Sequence, residues 1–321
     1  MRGIEIGHDS TTRTLANMLQ AVFLKIRNAW FRASGSQQSL YAAGVLLILS
    51  GAFHVGVWGA SERNWEGPLS WRKPILFGLS TGVTCLSLGW VLGWLRWGKT
   101  ERIIAVPTAI AAVVEVGLIT LQTWRGVASH FNVTTPFDTF VNYAVDALIT
   151  LITLAIFAMT LRSFGPLRKR NALPLGDLAL AIRFGMVLLS LGCLFGYWML
   201  WYGARQVGAG QPPEVLGAAG VVKFVHGTPI HAVQALPICC WLLSYFSVGV
   251  QARTRAVALL GIGFGLLTLF AAVQTFRGRA RADLDMLSAA VLALAALMFL
   301  APLWLAMSRR SPRRQSAHAR Q

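Results

Sequence analysis

The chain has 321 residues, 55% of them hydrophobic and only 13% charged, with a net charge of +17. Water-soluble domains carry about 25% charged residues, so this chain cannot cover a globular surface with charge and must place much of its surface in lipid. The basic excess does not indicate nucleic acid, because the lysines and arginines fall in the gaps between apolar runs, where membrane topology puts them.

In chain order, residues 1–38 form a basic leading segment. Within it, 12–33 reads as an amphipathic helix: Leu15, Met18, Leu19, Val22, Phe23, Ile26 and Trp30 recur at helical spacing, with Arg13, Lys25, Arg27 and Arg32 between them. That pattern suits the cytoplasmic membrane surface, where Lys and Arg meet anionic lipid, or a helix packed on the cytoplasmic loops. Eight apolar runs follow, near 40–60, 74–96, 103–124, 136–161, 178–201, 220–246, 256–276 and 286–307. Each is long enough to cross a hydrocarbon core. The first starts near Leu40, after a long polar lead, and so reads as a retained membrane helix, with no cleavable signal peptide evident. Residues 309–321 are basic and polar, a tail expected to be disordered. The expected fold is all-α: a polytopic membrane helix bundle of about eight transmembrane helices. Cys85, Cys193, Cys239 and Cys240 all lie inside apolar runs and read as packing residues rather than a disulfide framework.

With the N-terminus in the cytoplasm, 20 of the 29 lysines and arginines fall on the inner side. The bias places both termini inside and points to a bacterial inner (plasma) membrane. Arg277, Arg279 and Arg281 run against it. Small residues spaced by four (Gly78/Gly82, Gly89/Gly93, Gly192/Gly196, Gly261/Gly265) predict close helix packing. A faint repeat is also present. Gln122-Thr123-Trp124-Arg125-Gly126 is echoed by Gln274-Thr275-Phe276-Arg277-Gly278, Lys73 by Lys223, and Asp138 by Asp285. These echoes predict two four-helix halves in parallel orientation, 39–162 and 163–308.

Ionisable residues inside a membrane default to a functional hypothesis. His54, His130, His226 and His231 all map to the extracytoplasmic side, and are the candidate cofactor and metal ligands. Glu115 and Asp146 are the candidate catalytic carboxylates. Gln122, Arg125, Asn142 and Gln234 are candidates to support the site or contact substrate. Asp138, Asn142 and Asp146 form one polar stripe on the fourth run. Asp138 also has a structural explanation, with Thr135 as N-cap and Pro136 opening the helix. In His226-Gly-Thr-Pro-Ile-His231, residues five apart diverge by about 140° on an ideal helix, but Gly227 and Pro229 predict a break that re-aims one ring.

The leading expectation is a cofactor site for membrane redox chemistry, holding haem b or a copper, iron or zinc ion and serving an extracytoplasmic redox partner or an outer-leaflet substrate. Two four-helix halves with histidines at one face are similar in outline to haem A synthase. That family's glutamate–histidine motif is absent, since Leu49, Ser50 and Gly51 precede His54, and none of its residues is carried over. The alternatives are a proton-coupled transporter with a broken sixth helix, a metal-dependent lipid-modifying hydrolase, and a non-catalytic assembly protein.

Overall fold

The computed structural model describes residues 20, 24, 27–61, 65–67, 69–98, 100–168, 175–246 and 248–308. The tail at 309–321 and most of the 12–33 segment lie outside them. Nine helices and one two-strand ladder are described: α1 Gly35–Gly59, α2 Arg72–Leu92, α3 Glu101–Trp124, α4 Pro136–Ser163, α5 Leu175–Gly208, β1 Val215–Leu216, β2 Gly220–Val221, α6 Val222–Ile230, α7 Ala232–Tyr245, α8 Val250–Phe276 and α9 Met286–Ser308. Seven of the helices, all but α6 and α7, are long and apolar enough to cross a membrane. The protein is therefore a membrane-spanning, all-α helix bundle. Leu154, Leu161, Leu297 and Trp304 are among the many large apolar side chains left facing outward, the surface a protein presents to lipid rather than water.

The apolar run at 220–246 becomes α6 and α7. Of these, α6 has 9 residues and α7 has 14, so each alone is too short to span. In series they are long enough to do so. The break falls at His231, just after Pro229, as the sequence predicts. Gln234 offsets its cost: with its amide oriented to satisfy both groups, the nitrogen donates to the Ile230 and His231 carbonyls (3.3 and 3.1 Å) and the oxygen accepts from Ser87 Oγ of α2 at 3.2 Å. The His231 carbonyl also accepts the Ala235 N–H at 3.0 Å, so the side chain chiefly serves the Ile230 carbonyl, which in hydrocarbon needs a partner. The β1–β2 hairpin was not expected, since two-residue strands leave no periodic signal.

Glycines set the closest helix contacts. A Cβ at Gly82 or Gly78 would collide with the α1 backbone at Gly44 and Gly51, and one at Gly185 with Val233. At Gly192 the neighbours are Ile230 and the His226 carbonyl. The predicted Gly78/Gly82 and Gly192/Gly196 stripes are thus packing surfaces, whereas Gly265 meets nothing.

Helix neighbours recur in the two halves of the chain. Helix α1 packs on α2 and α3, α2 on α3, and α3 on α4. In the same way α5 packs on α6–α7 and α8, α6–α7 on α8, and α8 on α9. Local details recur too. Helix α3 ends with Gly126 at φ 71°, Gly126 N bonded to Thr123 O and Val127 N to Gln122 O. Helix α8 ends with Gly278 at φ 66°, Gly278 N bonded to Thr275 O and Arg279 N to Gln274 O. Both are glycine-terminated Schellman turns. Each is followed by an arginine–aspartate pair, Arg125 to Asp138 at 2.6 Å and Arg277 to Asp285 at 2.5 Å.

At the opposite membrane face the helix starts are pinned in matching places. Ser34, the N-cap of α1, donates to Glu101 of α3 at 2.6 Å, and Arg168 pairs with Glu101 at 2.9 Å. In the second half Arg253 of α8 pairs with Asp177 of α5 at 2.5 Å, with both side chains buried. Removing one member of a buried pair leaves the other uncompensated. Asp177→Ala is therefore expected to destabilise the protein by about 3–5 kcal/mol. This would be read as a fall in melting temperature of several degrees in detergent, and an unchanged melting temperature would show that the pair is not structural.

Candidate functional site

Two of the four histidines reach a common space. A cavity of about 110 Å³ lies between the halves, lined by Phe77 of α2, Glu115 of α3, Val145, Asp146, Ile149 and Thr153 of α4, Cys193, Gly196, Tyr197, Met199 and Leu200 of α5, the α3–α4 loop residue His130, and His226 of α6. Glu115 lies about 14 Å along α3 from its end at Trp124, so the cavity runs from the loop face well into the bilayer. Below it the bundle is closed by apolar packing of Leu88, Leu92, Ala109, Ala112, Ile156 and Met159.

His130 is aimed by the loop that carries it. Phe131 is in the left-handed backbone region (φ 60°), which is uncommon for a bulky residue. Its N–H donates to Asn142 Oδ1 at 2.7 Å, and its ring fills the space where Gly203 lacks a side chain. The ends of the loop are tied at Asp138. That carboxylate accepts from Gln122 Nε2 at 2.9 Å, Arg125 Nη1 at 2.6 Å and Thr135 Oγ1 at 2.7 Å, while Thr135 Oγ1 accepts the Asp138 N–H at 3.1 Å. Asp138, Gln122, Arg125 and Asn142 thus hold the loop and do not line the cavity. Of the polar stripe on α4, only Asp146 lines it.

A chain of hydrogen bonds fixes the His130 tautomer. Lys73 Nζ donates to Ser129 Oγ at 3.2 Å. An ammonium has no lone pair, so the hydroxyl passes its own proton to His130 Nδ1, 2.9 Å away. The neutral ring then carries its hydrogen on Nε2. Burial, with the positive charges of Lys73 and Lys223, pushes the His130 imidazole down to about 3. His226 has the opposite arrangement. Its Nδ1 lies 2.8 Å from the Gly192 carbonyl, which can only accept, so in the neutral ring Nε2 is a free acceptor. A Cβ at Gly196 would stand 3.1 Å from His226 Nδ1, so that glycine makes room for the ring. The cavity therefore offers a donor from one half and an acceptor from the other. Glu115 is buried and makes no hydrogen bond to a described residue. Asp146 is half-buried.

The other two histidines stand apart. His54 is buried, with Nδ1 donating to Ser50 O at 2.7 Å and Nε2 accepting from Trp124 Nε1 at 3.0 Å. Trp71 and Trp124 pack beside it, their rings 4.7 Å apart. Both nitrogens are used, and the residue ties α1 to α3. His231 is exposed at the helix break. Gln234 supports that break and does not line the cavity. Among the described residues, no three His, Cys, Asp or Glu side chains are grouped to hold a metal ion. Thus the four histidines do not form one ligand set. Lys73 and Ser129 were not predicted as site residues. The phrases Trp71-Arg72-Lys73-Pro74 and Ser129-His130-Phe131-Asn132 were the available signal, but they lie 56 residues apart in the chain.

His130 is expected to stay neutral, with its proton on Nε2, from pH 8 down to pH 5. A folded-state value below the unfolded one means that its contribution to stability is present above about 6.5 and is lost as the pH falls towards 3. Nitrogen-15 NMR of histidine-labelled protein reads both properties, and a His130 midpoint near that of a free imidazole would contradict the geometry.

Compared with protein-family models, curated proteins and solved structures, the chain matches none.

Proposed function

We propose that this protein takes the polar end of a membrane-dissolved amphiphile into the cavity between its halves and exchanges protons with it. The observation that carries this reading is the opposed hydrogen-bonding polarity of His130 and His226 on one cavity. His130 Nε2–H would donate to an oxygen of the guest, and His226 Nε2 would accept from a hydroxyl. The Lys73–Ser129–His130 chain leads from the loop face to the donor. Glu115 and Asp146 are carboxyl groups in reach of the same guest, and a positioned acid–base pair of this kind commonly contributes 10²–10⁴-fold to a rate, roughly.

Entry from the bilayer fits the packing of α4 on α5. Thr160 Oγ1 lies 2.8 Å from Ser190 Oγ and donates to Met186 O at 3.2 Å, closing the helices together towards the Glu101 face. Towards the His130 face the rim residues Asp146, Ile149, Tyr197 and Leu200 are half-exposed, and Tyr197 Oη reaches Thr150 Oγ1 at 2.8 Å. The positive-inside bias would put the Glu101 face and both termini in the cytoplasm and the His130 loop outside.

Haem or a copper, iron or zinc ion would have to draw on His130 and His226 with Glu115 or Asp146, which are not grouped as ligands. The cavity of about 110 Å³, smaller than the roughly 150 Å³ that admits one benzene, also leaves no room for a haem. A transport path would have to cross the apolar floor. Neither reading has an observation of comparable weight.

Native mass spectrometry of the full chain titrated with dodecanol or dodecanoate tests the proposal. Wild type is expected to retain at least one of them, and Thr153→Trp, which fills the cavity floor, to weaken that binding by more than about tenfold. Equal retention of both by the filled variant would place any binding elsewhere.

A further inference from the structure

The loop face above the cavity gathers three cations, Arg72, Lys73 and Lys223, and among the described residues Lys73 is the one without an ion pair. Arg72 pairs with Glu66 and lies 3.9 Å from Glu214, and Lys223 pairs with Glu214. Lys73 makes no ion pair with a described carboxylate, and its ammonium donates only to Ser129 Oγ. Among the described residues of this cluster, three cations stand against two carboxylates. Lys73 is half-buried, and a cation withdrawn from water without a counter-charge is costly. Its position is also tied to the site, since one hydroxyl separates it from the His130 ring.

An anion at Lys73 would resolve both facts. It would complete the local charge balance and accept a charge-assisted hydrogen bond. It would also lie beside His130, which lines a cavity whose apolar walls include Phe77, Val145, Ile149 and Leu200. A free hydrated ion gains nothing from those walls, whereas a hydrocarbon chain does.

We propose that the guest is a single-chain amphiphile with an anionic headgroup, seated on Lys73 beside Lys223, with its chain directed between α4 and α5. This inference rests on the amphiphile reading above and adds the charge of the headgroup.

The experiment compares dodecanoate with dodecanol, which share one chain and differ in charge, by native mass spectrometry of the full-length protein at neutral pH. Wild type is expected to bind dodecanoate at least about tenfold more tightly, the worth of a hydrogen bond to a charged group. Lys73→Met is expected to abolish that preference, read as the ratio of the two affinities, and Lys73→Arg to retain it. Unchanged melting temperatures of the unliganded variants establish their folding. The wild-type comparison stands without them. Equal affinity of wild type for the two amphiphiles, both weakened by Thr153→Trp, would overturn the anionic headgroup and leave the amphiphile reading intact. Binding of both that ignores Thr153→Trp would overturn the two together. Displacement of dodecanoate by an equal concentration of acetate would identify a free anion, and overturn the lipid source.

Discussion

The carboxylate of Asp138 is the fixed point on which the site depends. It is buried, yet it gathers Gln122 and Arg125 from the end of α3 and Thr135 from the start of α4. A charge in that place is tolerable only because every lone pair has a donor. The consequence is a loop whose two ends cannot drift apart. Between them, Asn142 holds the Phe131 amide in a backbone conformation that a phenylalanine would not choose. Strain of this kind persists only where the surroundings over-determine it. Here they do, and the result is a histidine pointed into the bundle instead of towards solvent.

The second half of the chain shows what the same frame looks like without a site. The glycine turn, the arginine and the aspartate all recur there. The arginine and aspartate are 13 residues apart in the first half and 8 in the second. The longer spacing accommodates Ser129, His130 and Phe131. In the shorter loop, Arg279 folds back on Asp283 and Asp285, and Gln274 donates to the carbonyls of Ala280 and Asp283. The loop consumes most of its own polar groups, with the Gln274 side-chain oxygen left buried and unpaired among the described residues. The second half contributes to the site by its broken helix, through His226. The cavity thus draws on different elements of the first and second parts of the chain.

Much of the frame is legible in the sequence, because hydrocarbon imposes long apolar runs and satisfied backbone. The eight runs, the Thr135-Pro136 helix start and the break near Pro229 all follow from local chemistry. Even so, α5 runs to Gly208, well past the apolar run, because amphipathic helix can continue beyond the hydrocarbon. The Ser34–Gln37 capping box opening α1 is a signature that was there to be read. The site is less legible. His54 and His130 carry the same side chain on the same face of the membrane. The rotation of α1 turns His54 onto Ser50 and Trp124, whereas the conformation of the α3–α4 loop turns His130 into a cavity. Asn142 and Asp146 lie on one stripe, but Asn142 is spent on the Phe131 amide. The Lys73–Ser129 contact joins two loops whose proximity no periodicity reveals.

The one-sidedness of the cavity constrains what it can do. In lipid, apolar side chains gain little by meeting one another, so close packing and polar satisfaction decide which helices stay together. Helices α4 and α5 are joined by the Thr160–Ser190 bond on one side of the membrane. Towards the His130 face they are joined at the rim, where Tyr197 Oη donates to Thr150 Oγ1 at 2.8 Å, and the cavity opens beside that contact. A transporter needs a second arrangement in which that floor parts, and the floor is built largely of apolar side chains such as Leu92, Ala109, Ala112 and Met159. A blind cavity can still bind and react. On the proposed reading, a proton passed along Lys73, Ser129 and His130 ends at the guest, above a floor that is largely apolar. What enters must leave by the same gap, so the arrangement suits a bound guest altered in place better than one carried across.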